Sequence, residues 1–142
     1  MQDIVVHSIT KYLNGPSDIV MGIALCNDNK LYEKLQNSTD AIPSPYCYMV
    51  IHGIKTLHLK MSKHVSNALK VAQWLEMHNK ILEVYYPHLP SRSNLRANYQ
   101  IAKKNMKTGG MVTFLLKECR QFLENLKLFT LAESLVCDAV LI

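Results

Sequence analysis

The stretch His7-Ser8-Ile9-Thr10-Lys11-Tyr12-Leu13-Asn14-Gly15-Pro16-Ser17-Asp18, HSITKYLNGPSD, decides how this sequence is read. It follows the apolar run Ile4-Val5-Val6, which reads as a short buried strand. Two hydroxyls, Ser8 and Thr10, then lead to Lys11, and Asn14-Gly15-Pro16 supplies turn chemistry directly after it. An amine and two hydroxyls delivered at the carboxyl end of a strand suit covalent chemistry, because strand ends are where open α/β sheets present their ligands. Taken alone, the same run is also compatible with a surface lysine among turn hydroxyls.

Outward from this stretch the elements alternate. Ile19 to Leu25 is β-branched and apolar and reads as a second strand. Asn27-Asp28-Asn29 is a plausible cap for a helix through Leu31, Tyr32 and Leu35. Pro43 and Pro45 break the chain before an apolar stretch, Tyr46 to Ile51. Leu57, Met61, Val65, Ala68, Ala72 and Leu75 recur at steps of three and four, one face of a long helix, with Lys60, Lys63, Asn67 and Lys70 on the other. Val84 to Tyr86 reads as a strand stopped by Pro87, and Leu95 to Met106 as a weaker helix. Gly109-Gly110 precedes a strand over Met111 to Leu116; a helix over Glu118 to Leu126 and a last strand over Leu128 to Leu131 follow. This order predicts an α/β or α+β fold. A composition shift around Gly53 to Lys60 predicts a domain boundary, with residues 1–58 on one side and the long helix and 59–142 on the other.

Composition narrows the function classes. With 49% hydrophobic residues and no run approaching about 18 apolar ones, the expectation is a soluble globular protein without a membrane span. Met1-Gln2-Asp3 lacks a basic leader, so no secretory signal is expected. The net charge of +5 is modest, and Lys55, Lys60, Lys63 and Lys70, like Lys103, Lys104 and Lys107, read as solvated helical faces rather than a nucleic-acid surface. Cys26, Cys47, Cys119 and Cys137 form no C-x-x-C pair, and neither they nor the six histidines show metal-ligand spacing. Reduced thiols in the cytoplasm are the expectation.

Four stretches together resemble one family: HSITKYLNGPSD with DIVMG, AIPSPYCYMVIHGIKTLHLKM, VYYPHLPS, and GGMVTFLL followed by FLENLKLFTLAESL. The family is the pyridoxal-phosphate-dependent enzymes of cysteine and methionine metabolism, and the resemblance runs through most of the chain in order. It is nearest to the cystathionine γ-lyase branch; the cystathionine γ-synthase and methionine γ-lyase branches are poorly separated by these motifs. The resemblance implies an aminotransferase-like α/β fold: the end of the large domain plus part of the small C-terminal domain. It implies that Lys11 forms the Schiff base with pyridoxal 5'-phosphate and shuttles a proton, that Ser8 and Thr10 bind the cofactor phosphate, and that Glu133, Ser134 and Leu135 line the substrate side. The implied reaction is cleavage of cystathionine to cysteine, 2-oxobutanoate and ammonia, in the cytoplasm, by a family that forms homotetramers.

Departures from the family pattern accompany the resemblance. Pro16 stands where the family usually has histidine, Tyr46 meets Cys47 without the intervening aspartate, and His52 replaces the arginine of R-G-L-K-T. Arg92-Ser93-Asn94 replaces the usual segment after Pro90, and Val136-Cys137 replaces a glycine pair. The family's phosphate loop, ring-stacking aromatic and pyridine-nitrogen aspartate lie upstream of its lysine, and its carboxylate-binding arginine lies downstream. The expectation is therefore a truncated copy, impaired as an enzyme, or an incomplete subunit that pairs with longer relatives.

Overall fold

The computed structural model describes residues 3–16, 18–38, 44–91, 109–129 and 131. By its contacts the chain divides into two units, Met1–His58 with Leu128–Ile142, and Leu59–Lys127.

In the first unit, β1 (Ile4–Ser8) pairs antiparallel with β2 (Gly22–Cys26), in a register that sets Ile4 opposite Cys26 and Ser8 opposite Gly22. The connection between them holds one wide helical turn, Ile9–Leu13. Helix α1 (Asn29–Asn37) starts where the Asp28 carboxylate accepts the Leu31 N–H at 2.9 Å, so the expected cap chemistry is realised one residue into the Asn-Asp-Asn run. Helix α2 (Ser44–Lys55) occupies the apolar stretch after the prolines. Pro45 falls in its first turn, where a helix makes no use of the N–H that proline lacks. Ile9, Ile19 and Val50 form the core of this unit, with Leu13, Met21, Ile23 and Met49 packed around them.

The expectation that Ile4 to Val6 is buried is not met. Ile4 is 42% and Val6 72% exposed, because β1 has a single strand beside it and open faces among the described residues. β2 likewise begins three residues later than the apolar run that announced it, since Ile19 to Met21 crosses the Ile9–Leu13 turn instead of continuing the ladder.

The second unit is built on α3 (Leu57–Glu76) from Leu59 onward. The second half of its predicted stripe is buried: Ala68, Ala72 and Leu75 pack with Val84, Tyr86 and Leu89, and Leu69, Ile81, Val112 and Phe114 close the cluster, while Leu57, Met61 and Val65 are half-buried. Alanines at two of the three buried helix positions leave room for large side chains opposite. Strand β3 (Ile81–Tyr85) pairs antiparallel with β4 (Thr113–Leu116), with a bulge between Ile81 and Glu83. Tyr86 ties the unit together, its hydroxyl donating to the Gly109 carbonyl at 3.1 Å. Helix α4 (Cys119–Glu124) sets Phe122 edge-on to Phe114, ring centroids 6.1 Å apart. The expected strand over Leu128 to Leu131 is not formed at Leu128, Phe129 or Leu131, which are irregular and exposed. The expected helix over Leu95 to Met106 lies outside the described residues.

Both sheets are two-stranded and antiparallel, so the class is mixed α/β with no parallel sheet among the described residues. No described helix is long and apolar enough to cross a membrane.

Candidate active site

The loop between β1 and β2 is held at both ends by backbone bonds. At its start, the Met21 carbonyl accepts the N–H groups of Ile9 at 2.8 Å and Thr10 at 3.2 Å. At its end, the Asn14 N–H returns to the Ile9 carbonyl at 2.9 Å and the Gly15 N–H to the Lys11 carbonyl at 3.0 Å. Lys11 lies between these anchors. Its backbone, φ −87° and ψ −124°, leaves the helical path inside the turn. Gly15 follows with φ 100°, a left-handed conformation that glycine adopts without steric cost.

The sequence-predicted residues fare differently. Lys11 is half-buried, three residues beyond the end of β1. Ser8 is the last residue of β1, opposite Gly22, and is exposed. Thr10 is half-buried, and its hydroxyl is engaged with the backbone across the loop. It donates to the Met21 carbonyl at 3.3 Å and accepts the Met21 N–H at 2.8 Å. A hydroxyl has one proton to give, so in this arrangement Thr10 donates to the protein's own chain. Glu133, Ser134 and Leu135 lie outside the described residues.

Three further residues shape the site. The Asn14 side chain is 2% exposed and donates through Nδ2 to Asp18 Oδ1. Gly53 of α2 lies against the same turn. A Cβ there would meet Asn14 O at 2.5 Å, Asn14 Cα at 2.7 Å and Leu13 O at 2.9 Å. In the sequence Asn14 reads only as turn chemistry and Gly53 only as the start of a composition shift; the Asn/Asp spacing of four is the one local signal of the pair.

Elsewhere, a groove of about 650 Å³ in the second unit is lined by Trp74, His78, Lys80, Lys117 and Phe122 among others, and holds none of the predicted site residues. No group of three His, Cys, Asp or Glu side chains suited to a metal ion occurs among the described residues. His52, His78 and His88 instead stand against Tyr48, Trp74 and Tyr86.

Residues 2–142 match the family described as Cys/Met metabolism PLP-dependent enzyme. The chain is 49% identical to a cystathionine gamma-lyase of Dictyostelium discoideum, with 94% of this chain and 36% of that protein covered. It is also 49% identical to a cystathionine beta-lyase of Coxiella burnetii over the same shares, 94% and 36%. The human cystathionine gamma-lyase is 48% identical, with 34% of it covered. The crystal structure of cystathionine gamma-lyase from Lactobacillus plantarum, complexed with L-serine, superposes with a TM-score of 0.79 at 36% identity, covering 98% of this chain and 38% of that one. The chain therefore spans about a third of the length of the curated relatives it matches.

Proposed function

The chain belongs to the Cys/Met metabolism PLP-dependent enzyme family, and from that premise we propose that Lys11 is its cofactor-binding lysine in a carbon–sulfur lyase of the cystathionine γ-lyase type. The observation that carries this reading is the placement of Lys11. It is half-buried just past the end of β1, in a loop whose two ends are fixed by backbone bonds.

The residues present fit part of a pyridoxal 5'-phosphate site. Lys11 supplies a primary amine that condenses with an aldehyde when neutral. Ser8 is exposed at the same strand end and free to turn its hydroxyl toward a phosphate. Thr10 donates to a phosphate only by releasing the Met21 carbonyl. Bound pyridoxal phosphate supplies an electron sink for charge developing on an amino-acid substrate. Lys11, once displaced by the substrate amine, would hold and move the proton at the substrate carbons. Cystathionine and water would then give cysteine, 2-oxobutanoate and ammonia, with Glu133, Ser134 and Leu135 on the substrate side. The relatives' names include both gamma- and beta-lyases.

The finer readings belong to the same proposal: a place in cysteine biosynthesis, a cytoplasmic site of action and assembly with further subunits. Cys26, Cys47 and Cys119 carry free thiols, which suits a reducing compartment. A division into residues 1–58 of a cofactor-binding domain and 59–142 of a second one is likewise proposed.

The test is absorbance of the purified chain with added cofactor, beside Lys11→Ala. The expected result is a yellow band that the substitution abolishes, with weak binding of cofactor overall. A band unchanged in Lys11→Ala, or no band at saturating cofactor, overturns the assignment. Release of 2-oxobutanoate from cystathionine reports catalysis separately.

A second reading is an incomplete subunit that pairs with longer relatives. It is favoured by apolar side chains left open in the first unit, Val6 at 72% and Val20 at 93% exposure. Co-purification with a longer relative, against a monomeric chain alone, tests it.

A further inference from the structure

We infer that Gly53 and the Asn14–Asp18 pair are positioning residues for Lys11: α2 is a backstop that sets where the lysine's backbone stands. The inference rests on the reading of Lys11 as the cofactor-binding lysine and adds the parts that hold it.

The argument begins with what can move. Ile9 and Thr10 are pinned to Met21 by four hydrogen bonds. On the other side of Lys11, Leu13 and Asn14 press against Gly53. The atoms a Cβ at Gly53 would strike, at 2.5, 2.7 and 2.9 Å, all belong to the backbone. No rotamer change clears them, so either α2 or the Leu13–Asn14 segment must shift. That segment is coupled to the lysine. The Gly15 N–H holds the Lys11 carbonyl, and the Asn14 N–H holds Ile9. With Ile9 and Thr10 fixed at one end, displacement at the other falls on Lys11. The Asn14 side chain, 2% exposed, gives the segment its second tether by donating to Asp18, which lies just ahead of the crossing to Met21. Gly53 and Asn14 act through the backbone that carries the reacting amine.

The experiment incubates the full chain with pyridoxal 5'-phosphate, traps the adduct with borohydride, and maps it by peptide mass. The readouts are the rate of modification at Lys11 and its share relative to Lys34 and Lys55. In Gly53→Ala the Lys11 rate is expected to fall by about tenfold or more, since misplacement of a reacting group by about 1 Å costs on the order of a hundredfold. The other lysines are expected to be modified as before. Gly109→Ala is the control, because a Cβ there meets nothing within 4 Å. Asp18→Ala is expected to slow Lys11 as well, and Asp18→Asn, which keeps an acceptor for Asn14, to restore the rate. This rescue pair decides the matter if Gly53→Ala loses its cooperative melt, because Asp18 is exposed and tolerates substitution. A Lys11 rate that stays at the parent value in Gly53→Ala and Asp18→Ala overturns this inference alone. No preference for Lys11 in the unsubstituted chain overturns the site assignment, and this inference with it.

Discussion

Thr10→Val separates two roles of one hydroxyl, bracing Met21 and donating a proton to a phosphate. The substitution keeps the β-branched shape and removes two contacts, the 2.8 Å bond from the Met21 N–H and the 3.3 Å bond to the Met21 carbonyl. The first is short and well placed; the second is long for an O–H donor and counts for little. Net loss of the good bond is worth about 0.5–1.5 kcal/mol, and stranding the half-buried Met21 N–H adds about 1 kcal/mol. The total, about 1.5–2.5 kcal/mol, converts to a roughly ten- to sixtyfold larger open population at 1.4 kcal/mol per decade. Thr10→Ser keeps the oxygen and loses about 0.8 kcal/mol at most, the value of one methyl group. The assay is urea unfolding of the cofactor-free chain by far-ultraviolet circular dichroism. Trp74, the single tryptophan, belongs to the second unit, so its fluorescence is an internal control expected to keep its midpoint. If Thr10→Val leaves stability without cofactor at the parent value and lowers cofactor affinity alone, the hydroxyl serves the phosphate and the brace argued from Met21 is wrong.

The other expected outcomes concern the scaffold. Ala68→Asp places a carboxylate with no cation partner into the cluster around Val84 and Tyr86, and should cost about 3–5 kcal/mol, read as loss of helical signal and of the cooperative melt. Gly15→Ala forces a Cβ into φ 100° and should cost about 1–2 kcal/mol, measured as a lower urea midpoint for the first unit only. Tyr86→Phe removes the donor to the Gly109 carbonyl and should cost about 1 kcal/mol, this time with the Trp74 midpoint moving. An unchanged Trp74 midpoint would show that the tyrosine hydroxyl does not hold the second unit together.

What could be read from residues alone depended on how local the cause was. Helix α3 was legible because its burial follows a period the chain itself carries: Ala68, Ala72 and Leu75 fall on one stripe, and all three are buried. The Asp28 cap was legible because donor and acceptor are three residues apart. Strand β1 was legible as a strand but not in its exposure, since burial of Ile4 and Val6 depends on what lies against a two-stranded ladder. The stretch from Tyr46 to Ile51 could not be assigned, because a short apolar run has no period to choose helix over strand. Pro45, read as a break, instead opens α2.

The lysine motif shows the same boundary inside a single site. That Lys11 is offered at a strand end follows from Ile4-Val5-Val6 and the turn residues after it. What keeps it there follows only in part: Asn14–Asp18 is a local tether, but two braces are supplied from a distance. Thr10 meets Met21 eleven residues on, and Asn14 meets Gly53 thirty-nine residues on, a contact that exists only once α2 has packed. The hydroxyl at position 10 shows why this matters for function. A motif match assigns it to the phosphate, yet its one proton is directed at a backbone carbonyl that two N–H groups already share. Binding a phosphate through Thr10 would release the 3.3 Å bond to the Met21 carbonyl, whereas the Ser8 hydroxyl makes no such bond among the described residues. Of the two hydroxyls the sequence puts forward equally, Ser8 is exposed at the end of its strand, whereas Thr10 also braces the loop by accepting the Met21 N–H.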